Sequence, residues 1–185
     1  MIKSYLITDP AYYGTDTKTF STKLSSILDS SKTDFALYRD KENKNYARFA
    51  EIFVSTCKSR KIAPILHQDY MLADTLNAYG VHLTSVQFDD IGPAKRLGLF
   101  VVVSTHTFDE IKKASELGAD AVTYSPVFFS PGKGIPKGLA RLKEIVGKIN
   151  IKIIALGGIT TDEQVRAVES CGVFAYASIR KFIKA

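Results

Sequence analysis

Short apolar runs alternate along the whole chain with longer stretches that carry apolar residues at helical spacing. Residues 2–8 form the first run and predict a strand, and residues 17–28 have the mixed pattern of a helix. Asp34-Phe35-Ala36-Leu37-Tyr38 predicts the second strand, and Phe49, Ile52 and Phe53 give a helix over 46–57 its apolar face. Strands over 62–66, 81–83 and 100–104 follow, with helices over 71–78, 88–96 and 108–117 after them. Strands over 120–127, 151–156 and 173–177 complete the series, with helices over 139–149 and 161–170 and a short one at the C-terminus. Three junctions, Tyr79-Gly80-Val81, Leu117-Gly118-Ala119 and Cys171-Gly172-Val173, read as helices stopped by a left-handed glycine that leads straight into a strand.

Strands that alternate with helices pair in parallel through right-handed crossovers. Eight such units predict an α/β fold closed as a (β/α)₈ TIM barrel, with an open doubly wound sheet as the alternative. A typical barrel takes roughly 250 residues, whereas 185 residues leave about 23 per unit. The connections must therefore be short, and residues 1–185 read as one domain. In such a barrel the chemistry sits on the loops at the C-terminal ends of the strands.

Composition narrows the class. With 45% apolar and 24% charged residues the chain is neither disordered nor fibrous, and it has material for a sizeable core. The longest apolar run, Leu99-Phe100-Val101-Val102-Val103, falls far short of a bilayer span. The N-terminal residues lack the apolar region of a secretory signal. Cys57 and Cys171 make no disulfide framework and have no metal-ligand spacing, so a cytoplasmic location is expected. Basic residues exceed acidic ones by 25 to 19, a net charge of +6. The one dense basic stretch, Lys58-Ser59-Arg60-Lys61, has no aromatic interleaving, and it reads as a solvated helix end rather than a nucleic-acid contact.

The predicted strand ends collect the candidate chemistry. All three histidines fall there: His67 after the third strand, His82 within the fourth and His106 after the fifth. Their spacing matches no zinc motif, and each reads equally well as a structural residue or as a proton carrier near neutral pH. Arg39 and Lys41 after the second strand suit a phosphate or pyrophosphate, one as a bidentate fork and the other as a point charge. The long loop from Ser125 to Gly134, with Ser130 and Lys133, suits a lid that closes on an anion. Gly157-Gly158 after the seventh strand and Ser178-Ile179-Arg180 after the eighth form the strongest local signal. Glycines let backbone N–H groups approach an anion, and loops seven and eight of barrels often build a phosphate site.

Taken together, these residues resemble the thiamine phosphate synthase superfamily, including its TenI-like thiazole tautomerase branch. The carriers are Tyr38-Arg39-Asp40-Lys41, Val81-His82-Leu83, Val103-Ser104-Thr105-His106, Ser125-Pro126-Val127-Phe128, Lys133 and Ala155-Leu156-Gly157-Gly158-Ile159. The resemblance implies a barrel that works on thiazole phosphate, assembled as a homodimer. It also implies that Arg39 and Lys41 hold a pyrophosphate with Lys133 and Ser104 nearby. Gly157, Gly158, Ser178 and Ile179 would then hold the thiazole phosphate.

Two departures from the family pattern set the expected reaction. The synthase binds Mg²⁺ through two aspartates, whose positions here hold Gln68 and Gln87. Neutral amides replace the carboxylates that this hard cation favours, and Asp69, Asp89 and Asp90 are the nearby acids. The tautomerase branch needs no metal, but its histidine at the sixth strand end is replaced by Pro126. His106 and His67 are then the available catalytic proton carriers. The leading expectation is a thiazole tautomerase that uses no cofactor. The alternatives are a Mg²⁺-dependent synthase joining a pyrimidine pyrophosphate to thiazole phosphate, and a non-catalytic barrel that binds a phosphorylated ligand in a regulatory role. A phosphorylated thiazole is the expected partner, with no membrane or nucleic acid.

Overall fold

Strands of four to six residues alternate with helices along the described chain, and the longest connection lies between the sixth strand and its helix. A computed structural model describes residues 2–183. The strands are β1 (Lys3–Ile7), β2 (Phe35–Tyr38), β3 (Ala63–His67), β4 (Gly80–Leu83), β5 (Phe100–Thr105), β6 (Ala121–Tyr124), β7 (Lys152–Leu156) and β8 (Ala175–Ser178). They pair in parallel in sequence order, and β8 closes on β1 through the register Tyr5 to Ala177. The architecture is the closed (β/α)₈ barrel, and the open-sheet alternative is excluded.

Side chains along each strand alternate between two cores. Tyr5, Ile7, Leu37, Ile65, Val102 and Ile154 point inward and fill the barrel. Leu6, Ala36, Leu66, Val81, Val103 and Ala155 point outward and pack beneath the helices. Phe35, Tyr79, Phe100 and Phe174 close the N-terminal floor, with Phe35 stacked on Phe100 at 6.0 Å and Tyr79 5.3 Å from Phe100. The interior is therefore a packed plug below and opens only at the C-terminal mouth.

The helices are α1 (Pro10–Tyr13), α2 (Thr17–Ser30), α3 (Tyr46–Ser59), α4 (Tyr70–Thr75), α5 (Ile91–Arg96), α6 (Phe108–Glu116), α7 (Gly138–Lys148) and α8 (Asp162–Glu169). Thr107 and Thr161 begin α6 and α8 with full capping boxes, paired to Glu110 and Gln164. Arg60 at the end of α3 makes a two-pronged pair with Asp29 of α2 at 2.7 and 3.0 Å. The basic run at 58–61 is thus a helix end with a structural contact.

Four expectations need correction, and one helix is an addition. The stretch 88–96 begins as a 3₁₀ turn over Phe88–Asp90 before α5, and the C-terminal helix is only a 3₁₀ turn over Arg180–Phe182. Helix α1 is an addition, started by Asp9 accepting from the Ala11 N–H with Pro10 behind it. The sixth strand ends at Tyr124, because the chain turns there into the loop before α7. Gly80 is not a helix stop. It is the first residue of β4, and a Cβ there would lie 2.1 Å from the Phe100 carbonyl oxygen. Asn77 takes the left-handed turn at that junction instead (φ 51°), whereas Gly118 and Gly172 do so as expected (φ 88° and 82°).

Candidate functional site

The C-terminal mouth encloses a cavity of about 580 Å³. Every residue expected at the site lines it: Arg39, Lys41, His67, Ser104, His106, Ser130, Lys133, Gly157, Gly158, Ser178 and Ile179. Strand parity accounts for this. His67 continues the inward row of Ile65, and Ser104 continues that of Val102. The loops beyond the strand ends supply the remainder.

The rim is cationic. Arg39 and Lys41 follow β2, Lys133 lies between β6 and α7, and Arg180 follows β8. None of the four forms an ion pair among the described residues, unlike Lys95 or Lys181, whose charges are matched by Asp120 and Asp162. Unmatched cations converging on one concavity favour negative charge there. Sequence alone places Arg180 in the eighth loop, directly after Ser178-Ile179, but assigns it no contact of its own. The signal available was its place at the eighth strand end, the usual phosphate corner of a barrel.

Gly157 and Gly158 are fixed by packing as well as by backbone conformation. Both have positive φ, 101° and 69°. A Cβ on Gly157 would lie 2.7 Å from Pro126 Cα, and one on Gly158 would lie 2.3 Å from the Phe129 carbonyl oxygen. The loop after β6 docks here through Val127 N–H to Leu156 O and Phe128 N–H to Gly157 O, at 2.9 and 3.0 Å. The N–H groups of Gly158 and Ile159 have no partner among the described residues. Ser178 is different, because its hydroxyl donates to Ile159 O at 2.7 Å and accepts from the Lys181 N–H. That side chain ties the seventh and eighth loops together and leaves anion contact to the backbone.

The three histidines divide into distinct environments. His67 is 7% exposed, and its ring makes no hydrogen bond within the described residues. Burial first, then the charges of Arg39 and Lys41, push its pKa down to about 4, so it faces the cavity as a neutral imidazole. His82 is 3% exposed, with Nδ1 3.0 Å from the Tyr5 hydroxyl and Nε2 3.0 Å from Ser104 Oγ. Burial, followed by the neighbouring His67 and Arg39, pushes its pKa to about 3. His106 sits at the rim, with Nδ1 3.2 Å from the Ser125 carbonyl oxygen. In the neutral ring, donation to that carbonyl leaves Nε2 as the bare nitrogen.

Gln87 has a structural task. Its Oε1 accepts from the N–H and hydroxyl of Thr84, both at 3.1 Å. Its Nε2 donates to Gln68 O at 3.3 Å and to Asp90 Oδ2 at 3.0 Å. Gln68 takes a left-handed turn (φ 68°), and neither glutamine lines the cavity. Of the nearby acids, Asp69 caps α4 by accepting from the Leu72 N–H, and Asp90 accepts from Gln87. Among the described residues no three acidic, histidine or cysteine side chains converge as a metal site. The neutral amides at both positions are poor ligands for a hard cation such as Mg²⁺.

A model of the family described as "Thiamine monophosphate synthase" matches residues 4–182. The chain belongs to that family. A putative thiamine-phosphate synthase 2 of Aquifex aeolicus is 31% identical, over 97% of both chains. A thiamine-phosphate synthase of Nitrosococcus oceani is 30% identical, over 80% of this chain and 70% of the relative. Thiamine phosphate pyrophosphorylase from Pyrococcus furiosus shares the fold with a TM-score of 0.81 at 23% identity, covering 96% of this chain and 85% of the other. Among the described residues no helix is long and apolar enough to cross a membrane.

Proposed function

We propose that this family member binds a phosphorylated thiazole in the C-terminal mouth and isomerises it by proton transfer, as a thiazole tautomerase. The observation that carries the reading is one cavity with an unpaired cationic rim above neutral His67, beside a family metal position, Gln87, whose side-chain amide holds two loops together. The phosphate would rest on the N–H groups of Gly158 and Ile159, with Arg180 and Lys133 supplying charge. Arg39 and Lys41 would neutralise a second anionic group such as a ring carboxylate.

Aromatising a thiazole tautomer neither gains nor loses atoms. A proton leaves a saturated ring carbon, and another is delivered elsewhere on the same conjugated system. A neutral imidazole can accept the first, which makes His67 a candidate base. His106, with Nε2 bare, is the second candidate proton carrier. The cations stabilise negative charge that develops on the substrate as the proton leaves.

The names of the curated relatives favour a second reading, the coupling of a pyrimidine pyrophosphate to thiazole phosphate. Two parallel reactions separate them. The purified protein is given the non-aromatic thiazole carboxylate phosphate with a chelator, or pyrimidine pyrophosphate and thiazole phosphate with Mg²⁺. The tautomerase reading predicts aromatisation in the first and no thiamine phosphate in the second. Efficient thiamine phosphate formation overturns it, and ligand binding with no turnover in either supports the non-catalytic alternative.

A further inference from the structure

A chain of three polar side chains runs from the sealed interior of the barrel to the floor of the cavity. Tyr5 on β1 is fully buried, and among the described residues the only hydrogen-bond partner of its hydroxyl is His82 Nδ1. His82 on β4 bonds through Nε2 to Ser104 on β5, and Ser104 lines the cavity. The hydrogens in this chain can be placed by elimination. Burial raises the Tyr5 pKa well above its ordinary value, so the phenol keeps its proton. That O–H needs an acceptor, and Nδ1 is the one within reach. The opposite arrangement, with Nδ1–H donating to the phenol oxygen, would strand the phenolic hydrogen inside an apolar barrel. Nδ1 is therefore bare, and Nε2 carries the proton and donates to Ser104 Oγ. With its oxygen engaged as an acceptor, the Ser104 hydroxyl is left to donate elsewhere, and the cavity is the open direction.

We propose that Tyr5 and His82 are positioning residues that fix the Ser104 hydroxyl as a hydrogen-bond donor to an oxygen or nitrogen acceptor on the bound ligand. His82 is not the acid or base of the site, because burial keeps it neutral across the working pH range. Only the identity of the ligand, a phosphorylated thiazole, rests on the functional reading above.

The test has one arm that needs no ligand. In ¹⁵N-labelled protein, long-range ¹H–¹⁵N correlations identify which ring nitrogen of His82 bears the proton. The expected result is Nε2–H with bare Nδ1 from pH 5 to 8, replaced by a tautomer mixture in Tyr5→Phe. An Nδ1–H tautomer or an imidazolium in the unmodified protein overturns the proposal. The second arm titrates thiazole phosphate into the unmodified protein, Tyr5→Phe, Ser104→Ala and the double variant, each checked for fold by circular dichroism. Ser104→Ala should weaken binding about tenfold and Tyr5→Phe somewhat less, with the double variant no worse than Ser104→Ala alone. Losses that multiply show that Tyr5 acts independently of Ser104, and they overturn it. If the unmodified protein shows the Nε2–H tautomer yet does not bind thiazole phosphate, the ligand assignment fails while the placement of the hydroxyl stands.

Discussion

His67 and His82 lie with ring centroids 6.5 Å apart, and burial is the first cause of both lowered pKa values, about 4 and about 3. Each imidazole binds a proton more tightly in the unfolded chain, where its pKa is near the ordinary 6.5, so protonation favours unfolding. Their stabilising contribution is complete above about pH 6.5 and is lost as the pH falls toward about 4 for His67 and about 3 for His82. Linkage sets the slope at about 1.4 kcal/mol per pH unit for each histidine. Urea unfolding between pH 7 and 4.5 should therefore show a shallower acid loss in His67→Gln than in the unmodified protein. Equal slopes would contradict the neutral assignment. Gly158 gives a second residue-level prediction. Gly158→Ala meets a left-handed φ and the Phe129 carbonyl together, and should cost about 2 kcal/mol or more, read as a lowered thermal midpoint.

At the scale of elements, the loops after β3 and β4 are held together by Gln87, whose amide oxygen and nitrogen are both engaged. Gln87→Asp removes the donor to Gln68 O and sets a carboxylate beside Asp90. It should lower stability by about 1–2 kcal/mol in denaturant titrations and create no Mg²⁺ site on its own. The sequence made all eight strands and the order of helices legible, because each unit carries its own apolar run and helical face. Gly80 was misread since a helix-stopping glycine and a glycine under a neighbouring carbonyl look alike in sequence. The Phe88–Asp90 turn was merged with α5 because apolar spacing over nine residues does not separate a 3₁₀ start from a helix. Most of the strand-end residues that line the cavity were placed there by position, and Ser104 by the family resemblance. Tyr5 and the role of His82 were not legible, because the contact joins strands 77 residues apart and only the closed barrel brings them together.

Across the whole molecule, stability and chemistry occupy opposite ends of the barrel. The aromatic floor of Phe35, Tyr79, Phe100 and Phe174 seals the N-terminal end, and the cationic mouth stands open at the other. Phe100→Ala should cost about 3 kcal/mol of stability and leave thiazole phosphate affinity unchanged within twofold at temperatures below its own melting. The surplus of six positive charges has a physical reading in the same picture, since Arg39, Lys41, Lys133 and Arg180 converge without partners on the mouth. In the proposed function this mouth holds a phosphorylated thiazole by cations and backbone N–H groups, without a divalent metal. Calorimetric titration of thiazole phosphate in chelator, and again with Mg²⁺ in excess, tests it most directly. Binding of the same affinity is expected in both buffers. Binding that appears only with Mg²⁺ would contradict it.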